Sequence, residues 1–165
     1  MANIRHERAM RLRDRAILFI SSGGFVGKIP FAPGTFGSVL GLPVCYCLTF
    51  VRVRIAVLLT LLFVAVSIWI ADRAEKLLRS KDPGYIVIDE IAGLLVTFLG
   101  IPFNLLNGAA GFLIFRIMDI LKPFPARMLE KKLPGGAGVV MDDVAAGLYS
   151  NLLLRAMAVF IILWN

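Results

Sequence analysis

Histidine is almost absent from this chain of 165 residues, and its single copy, His6, lies in a basic stretch near the N-terminus. This scarcity excludes a Ser-His-Asp triad and a histidine nucleophile from the candidate chemistries. The two cysteines, Cys45 and Cys47, lie in an apolar stretch, and neither is followed six positions later by arginine. That spacing excludes a cysteine-dependent phosphatase. We interpret the pair as small apolar residues rather than metal ligands.

Charge is also scarce, because charged residues make up 18% of the chain, whereas a soluble domain typically has about 25%. Hydrophobic residues account for 59%, and the mean hydropathy is +0.83. The length fits one domain. The composition therefore predicts an integral membrane protein, and its apolar segments predict a polytopic bundle of membrane helices, an all-α fold.

Four apolar segments are candidates for the membrane helices: 36–51, 55–71, 91–115 and 144–165. Fifteen of the 18 Lys and Arg residues fall in three regions between them: 1–35, 72–90 and 116–132. The positive-inside rule places all three regions on the cytoplasmic side. Segment 91–115, broken by "GIPFN", then begins and ends on the same side, and we predict a re-entrant hairpin. A straight span of 25 residues is the simpler alternative.

The net charge of +7 is concentrated at the N-terminus, where five arginines fall within the first 15 residues. A basic cluster of this kind can bind nucleic acid. Because it precedes membrane segments, we instead predict that it lies near anionic lipid headgroups, with the bilayer as partner and no nucleic acid.

Seven of the eleven acidic residues flank the apolar segments: Asp72, Glu75, Asp89, Glu90, Asp119, Asp142 and Asp143. On the predicted topology they share the cytoplasmic ends of the helices. Converging carboxylates repel one another unless a cation intervenes. Oxygen ligands without histidine or cysteine favour Mg²⁺. The alternative is a set of interfacial ion pairs with neighbouring Lys and Arg residues.

Small residues follow the paired acids at helical spacing. Gly93 follows Asp89 and Glu90, and Gly147 follows Asp142 and Asp143. This pattern predicts that another helix approaches closely on that face. Adjacent acids on a helix diverge by about 100°, so we expect at most one of each pair to point squarely inward.

Two stretches could bind phosphate. "PGTFGS" leads into an apolar helix, with Thr35 or Ser38 as a candidate cap and Gly34 freeing the backbone, although an ordinary helix cap explains it equally well. In "FRIMDILKPFP", Arg116 and Lys122 stand three residues before and after Asp119. They form either a salt-bridge ladder or a pair of cations that stabilise a transferring phosphoryl group.

Four blocks of the chain together resemble the phosphatidylglycerophosphatase A family of bacterial membrane phosphatases: "GKIPFAPGTFGS", "DPGYIVIDEIAG", "FRIMDILKPFP" and "GGAGVVMDDVAAGLY". The resemblance implies a hydrolase of phospholipid biosynthesis that uses Mg²⁺ to convert phosphatidylglycerophosphate to phosphatidylglycerol. It also implies an all-helical protein of the inner membrane with its active site facing the cytoplasm. The single domain would comprise a basic arm (1–26), the core (27–149) and the end of the last membrane helix (150–165).

The resemblance also assigns roles. Within the blocks, the predicted catalytic carboxylates and Mg²⁺ ligands are Asp89, Glu90, Asp119, Asp142 and Asp143, and Asp72 and Glu75 in the looser "ADRAEKLL" are further candidate ligands. Lys122 is predicted to act in catalysis on the phosphate, and the other substrate-binding candidates are Lys28, Gly34, Thr35, Ser38 and Arg116. Water activated at a metal ion and direct attack by a carboxylate both remain open.

Two other functions compete with this interpretation. A cation transporter or channel would use the acids as an ion path, and it predicts acids spread through the depth of the membrane. An alcohol phosphatidyltransferase would carry an Asp-x₂-Asp-Gly-x₂-Ala-Arg motif, which this chain lacks. The sequence leaves the oligomeric state and the number of metal ions open.

Overall fold

The computed structural model describes residues 11–164, with side chains up to residue 160. Arg5 and Arg8 of the predicted basic arm lie outside this range. The described part contains seven α-helices and no strand, which confirms the predicted all-α class. The helices are α1 (Leu12–Ser21), α2 (Pro33–Leu48), α3 (Val53–Leu78), α4 (Ile88–Thr97), α5 (Leu105–Leu121), α6 (Ala126–Lys132) and α7 (Gly136–Trp164).

Two helices are long and apolar enough to cross a membrane: α3, and α7 over Gly136–Phe160. Helix α3 turns large apolar side chains outward, and Leu58, Leu61 and Leu62 are each more than 60% exposed. A row of large apolar side chains that face outward is typical of a surface that contacts lipid or another protein. Helix α2 is apolar but has only 16 residues, fewer than the roughly 20 that a full span needs.

The apolar segment 91–115 is not one straight helix. Helix α4 ends at Thr97 and α5 begins at Leu105. Gly100 turns the chain at φ +69°, and the Asn104 side chain caps α5 by accepting a hydrogen bond from the Asn107 amide at 2.8 Å. The break lies at the predicted "GIPFN".

The two flanks of this helical hairpin lie together. Lys81 precedes α4 and Lys131 lies in α6, after α5, yet both line one surface groove. The chain therefore enters and leaves the hairpin at the same end of the molecule.

Helix α4 lies at the centre, packed against α7 along a line of glycines. A Cβ on Gly93 would lie 2.6 Å from the Asp143 carbonyl oxygen, and a Cβ on Gly147 would overlap the Gly93 carbonyl oxygen. Only glycine permits this distance. The close approach predicted from the sequence is confirmed, and it sets the start of α4 beside the second turn of α7.

Part of the predicted basic arm is helical. Helix α1 forms from Leu12, buries Ile17 and packs against α3. At its end, the Ser21 carbonyl accepts a hydrogen bond from the Val87 amide at 2.8 Å. The second half of the predicted arm therefore supports the loop that leads into α4.

Candidate active site

Three carboxylates meet where α4 begins. Asp89 and Glu90 lie in the first turn of α4, and Asp143 lies in the second turn of α7. One oxygen from each lies within 4.8 Å of the others. Asp89 is 7% exposed and Asp143 is 4% exposed. We call Asp89, Glu90 and Asp143 the carboxylate triad.

The triad lacks the partners that buried carboxylates need. Asp89 Oδ1 and Glu90 Oε2 are buried and have no hydrogen-bond partner among the described residues. Burial, and then repulsion from Glu90, raises the pKa of Asp89 well above its usual range. A shared cation would satisfy the unpaired oxygens and relieve the repulsion. An oxygen-only donor set fits a hard divalent cation.

The guanidinium of Arg116 lies on one side of the triad, next to Asp119. Asp119 lies close enough to Glu90 and Asp143 to repel both carboxylates. Arg116 Nη1 donates to Asp119 Oδ2 at 2.5 Å and makes a long contact of 3.5 Å with Ser38 Oγ. Its Nε is buried without a partner among the described residues. This N–H donor therefore remains available to an anion.

The start of α2 closes the same side. A Cβ on Gly34 would overlap Glu90 Oε1 and would lie 3.2 Å from Arg116 Nη1. The absence of a side chain at Gly34 lets the first turn of α2 contact Glu90. The partial positive charge of a helix N-terminus stabilises a carboxylate or a phosphate at this position.

Neither Thr35 nor Ser38 caps this helix, contrary to one expectation from the sequence. Helix α2 begins at Pro33, and its N-cap is Ala32, in a left-handed conformation and without a side-chain cap. Ser38 instead donates from Oγ to the Gly34 carbonyl at 2.8 Å. Thr35 lies half-buried in the first turn.

Lys122 does not share a helix face with Asp119, as the three-residue spacing had suggested. Helix α5 ends at Leu121, and Lys122 takes a left-handed conformation with φ 44°. Its Nζ lies 2.6 Å from Asp142 Oδ2 and 3.2 Å from Glu130 Oε2. Burial alone would lower the pKa of Lys122, but the hydrogen bonds to Asp142 and Glu130 raise it overall.

Both members of the Asp142–Asp143 pair are buried, at 3% and 4% exposure. Their side chains diverge, as adjacent positions on a helix predict, and both are buried because α7 is covered on two sides. Asp143 joins the triad across from α4, whereas Asp142 meets Lys122 at the end of α5. Asp142 Oδ1 has no hydrogen-bond partner among the described residues.

Three candidates lie apart from the triad. Asp72 pairs with Lys76 one turn later on α3. Glu75 Oε1 accepts a hydrogen bond from the Asp82 amide at 2.7 Å. The exposed Lys28 places its Nζ 4.5 Å from the centre of the Phe25 ring.

Sequence reasoning passed over two acids near the site. Glu130 shares Lys122 with Asp142, and Asp82 is close enough to interact electrostatically with Lys122 and Glu130. Asp82 stands in the "DPG" turn of the block that contains Asp89 and Glu90, and this was the available signal.

Comparison with known proteins is consistent with this geometry. A sequence model of the family Phosphatidylglycerophosphatase A matches residues 19–158. The Phosphatidylglycerophosphatase A of Escherichia coli (strain K12) is 36% identical over 125 residues, covering 75% of this chain and 73% of that protein. The Phosphatidylglycerophosphatase A of Haemophilus influenzae is 34% identical over 133 residues, covering 79% and 82%.

A protein of Bacteroides thetaiotaomicron named "Putative phosphatidylinositol-3-phosphatase" is 38% identical over 145 residues, covering 83% of this chain and 90% of that protein. No solved structure matches. The matched region contains all the residues of the carboxylate triad, together with Gly34, Arg116, Asp119, Lys122 and Asp142. The chain belongs to the phosphatidylglycerophosphatase A family of lipid phosphatases.

Proposed function

We propose that this protein is a Mg²⁺-dependent phosphatase that hydrolyses phosphatidylglycerophosphate to phosphatidylglycerol and inorganic phosphate. The observation that carries the proposal is a buried, oxygen-only carboxylate triad next to an arginine with an unused N–H. A phosphate monoester and its metal ion need these two kinds of group side by side.

The triad would hold the metal ion. Asp89, Glu90 and Asp143 each place one oxygen within 4.8 Å of the others, and Asp89 Oδ1 and Glu90 Oε2 are unpaired. Asp119 lies near enough to contribute. A bound Mg²⁺ would supply charge neutralisation at the phosphate and make water at the site a better nucleophile. The Glu90 side chain is held between α4 and the first turn of α2, so its direction is set before a metal ion binds.

The phosphate would be bound on the α2 side. Arg116 Nε is buried, has no partner among the described residues and can donate to a phosphate oxygen. Asp119 fixes the guanidinium by accepting from Nη1. Lys28 and Thr35 remain predicted phosphate contacts on the loop and turn that precede Ser38.

Lys122 would neutralise charge on the other side. Its ammonium is held by Asp142 and Glu130, and its raised pKa keeps it protonated at neutral pH. A fixed cation beside the phosphate would stabilise the charge that develops on the transferring phosphoryl group. Asp142 thus acts on the phosphate through Lys122, or joins the metal ion through its unpaired Oδ1.

The membrane placement follows from where the charges lie. We propose that α2 and α3 cross the inner membrane as a hairpin and that α7 crosses it separately. We also propose that α4 and α5 form a re-entrant hairpin and that the active site faces the cytoplasm. The site lies at the ends of the helices that carry most of the Lys and Arg residues, which supports this orientation. The lipid tails would then stay in the bilayer between the helices.

The distribution of acids argues against an ion path. Residues 39–71, 91–118 and 144–164 contain no Asp or Glu, so the acids of the described part are confined to one end. A transporter or channel needs ligands through the depth of the membrane. The arrangement therefore favours the enzyme over a transporter.

The test is phosphate release by the purified protein in detergent, from phosphatidylglycerophosphate and, in parallel, from phosphatidylinositol 3-phosphate. We expect release from the first lipid with Mg²⁺, none with chelator, and recovery when Mg²⁺ is restored. The double variant Asp142→Asn, Asp143→Asn should be inactive although folded. Wild-type activity in that variant, or no release from folded wild-type protein, would overturn the proposal. Faster release from the inositol lipid would change the proposed substrate but would leave the proposed active site as it is.

A further inference from the structure

A cavity opens at the end of the molecule away from the carboxylate triad. It has a volume of about 480 Å³ and is lined mainly by apolar residues, among them Leu48, Val53, Leu95, Phe98 and Phe103. This volume falls in the range of about 300–1,000 Å³ found for small-molecule sites. Helices α2, α3 and α4 and the α4–α5 turn form its wall. No residue of the candidate active site lines it.

The rim of this cavity carries positive charge. Arg155 Nη2 donates to the carbonyls of Leu99 and Gly100, and both of these residues line the cavity. A Cβ on Gly100 would lie 3.0 Å from Arg155 Nη2 and 3.6 Å from Val53 Cγ2. Arg52 and Arg54 flank Val53 in the chain. Arg155 therefore lies at the opening, and Arg52 and Arg54 adjoin a lining residue in the chain.

No acid at this end balances these charges. The chain has no Asp or Glu in residues 39–71, 91–118 or 144–164, and in the described part neither Arg52, Arg54 nor Arg155 forms a salt bridge. The Arg155 hydrogen bonds go to uncharged groups, and its Nη1 has no partner among the described residues. Exposed arginines without an acidic partner attract an anion from outside the protein.

We propose that this cavity binds one anionic glycerophospholipid of the bilayer, with an acyl chain inside and the phosphate against Arg52, Arg54 and Arg155. The apolar lining suits the chain and the acid-free rim suits the headgroup. Arg155 stands 12 residues beyond Asp143 on α7, which is about 18 Å along the helix. The lipid site is therefore separate from the active site and lies toward the opposite leaflet. It rests on the membrane placement proposed above but not on the phosphatase chemistry.

Two kinds of variant test the two halves of the site. Arg52→Gln with Arg54→Gln removes charge from the rim and leaves the hydrogen bonds of Arg155 intact. Ala56→Phe fills the cavity, because Ala56 is 6% exposed and lines it. Ala65→Phe is the matched control, since Ala65 lies exposed on the same helix and outside the cavity. All of these positions lie outside the candidate active site, so phosphatase activity should be unchanged and reports correct folding.

The measurement is native mass spectrometry of protein released from nanodiscs that contain equal amounts of phosphatidylglycerol and phosphatidylcholine. We expect one retained phosphatidylglycerol, a preference about tenfold lower in the double arginine variant, and no retained lipid in Ala56→Phe but wild-type retention in Ala65→Phe. Equal retention of both lipids, or unchanged retention in the two test variants, would overturn the proposal. So would a dimer that Ala56→Phe disrupts, because a second copy would then occupy the cavity.

Discussion

Gly34 shows how a single residue shapes the candidate site. The residue lies in the first turn of α2, where the Glu90 carboxylate occupies the space that a side chain would need. The helix N-terminus and the carboxylate therefore meet directly. The carboxylate triad and Arg116 come together here because Gly34 has no side chain to separate the first turn of α2 from Glu90 on α4.

Gly34→Ala should therefore disable the enzyme without unfolding it. The added Cβ would overlap Glu90 Oε1, so Glu90 must leave the triad, and a displacement of about 1 Å at a reacting site can lower the rate about 10²-fold. The measurement is kcat beside the melting temperature. Gly84→Ala is the control, because the nearest atom to a Cβ there is Pro33 Cγ at 3.9 Å. Equal activity in the two variants would contradict the role given to Gly34.

Asp143→Asn and Asp72→Asn should separate a metal ligand from a surface ion pair. Asp143 belongs to the triad, whereas Asp72 pairs with Lys76 on the exposed side of α3. The first substitution should lower activity by more than the roughly 10- to 100-fold typical of a residue that only orients a ligand. The second should leave activity and the Mg²⁺ concentration for half-maximal rate near wild type. If Asp72→Asn were as inactive as Asp143→Asn, Asp72 would have to be counted among the metal ligands.

The Lys122–Asp142 pair should be strongly coupled in stability. Lys122→Met leaves Asp142 buried without its cation, and breaking a buried pair costs about 3–5 kcal/mol. Adding Asp142→Asn should restore much of the loss, since the uncompensated charge disappears. The measurement is the free energy of unfolding of both single variants and the double variant, with chelator present. Losses that simply add would show that the two residues act independently.

The pH dependence of this pair has a definite sign. The folded protein raises the pKa of Lys122 above its ordinary value of 10.5. Its stabilising contribution is therefore complete below the unfolded pKa and is lost only as pH rises through the folded value. The cost of Lys122→Met should shrink in strongly alkaline solution, where the wild-type lysine loses its proton. It should also shrink in acid, where Asp142 takes up a proton and no longer needs a cation.

At the scale of elements, α4 is short and depends on α7 at both ends. Gly93 and Gly147 set the distance between the two helices. At its far end, Asn151 Nδ2 donates to the carbonyls of Val96, Thr97 and Leu99 at 2.9–3.2 Å. Arg155 Nε in turn donates to Asn151 Oδ1 at 2.8 Å. The last carbonyls of α4, which a helix leaves unpaired, are thus satisfied from α7.

Asn151→Ala should loosen the α4–α5 turn. The Val96 and Leu99 carbonyls keep a second donor, whereas the Thr97 carbonyl loses its side-chain donor. Leaving a buried polar group unsatisfied costs about 1–3 kcal/mol. We expect a lower melting temperature and faster amide hydrogen exchange in residues 98–104. Leu152→Ala is the control, because Leu152 is 63% exposed and the change removes no hydrogen bond. Unchanged exchange in Asn151→Ala would show that the turn is held by other contacts.

At the scale of the whole molecule, charge is divided between two ends. Within residues 11–164, one end carries the acids and most of the Lys and Arg residues, and the other carries Arg52, Arg54 and Arg155 without an acid. The α4–α5 hairpin returns to the first end, where Lys81 and Lys131 line one groove. A membrane protein with this division has a fixed orientation.

Single-cysteine labelling tests that orientation. In a background with Cys45→Ala and Cys47→Ala, we expect Lys81→Cys and Lys131→Cys to react with a membrane-impermeant reagent only in inside-out vesicles. Arg52→Cys should react only in right-side-out vesicles. A straight membrane span over 91–115 would instead place positions 81 and 131 on opposite sides, and that labelling pattern would contradict the re-entrant hairpin.

The sequence by itself determined the features that depend on local composition. The all-α class, the break at "GIPFN" and the close approach at Gly93 and Gly147 follow from apolar segments, helix-breaking residues and small residues at helical spacing. The family could also be identified, because each of its four blocks is an unbroken stretch of the sequence. These features concern neighbours within about one helical turn, and sequence spacing describes such neighbours well.

Only the tertiary structure decided which charged groups meet. A left-handed residue at the end of α5 turned Lys122 away from Asp119 and toward Asp142. Packing on two sides of α7 buried both Asp142 and Asp143, and the contact between α2 and α4 joined Gly34 to Glu90. Contacts between helices depend on how their ends are capped and on which faces pack. Spacing within one helix does not contain that information.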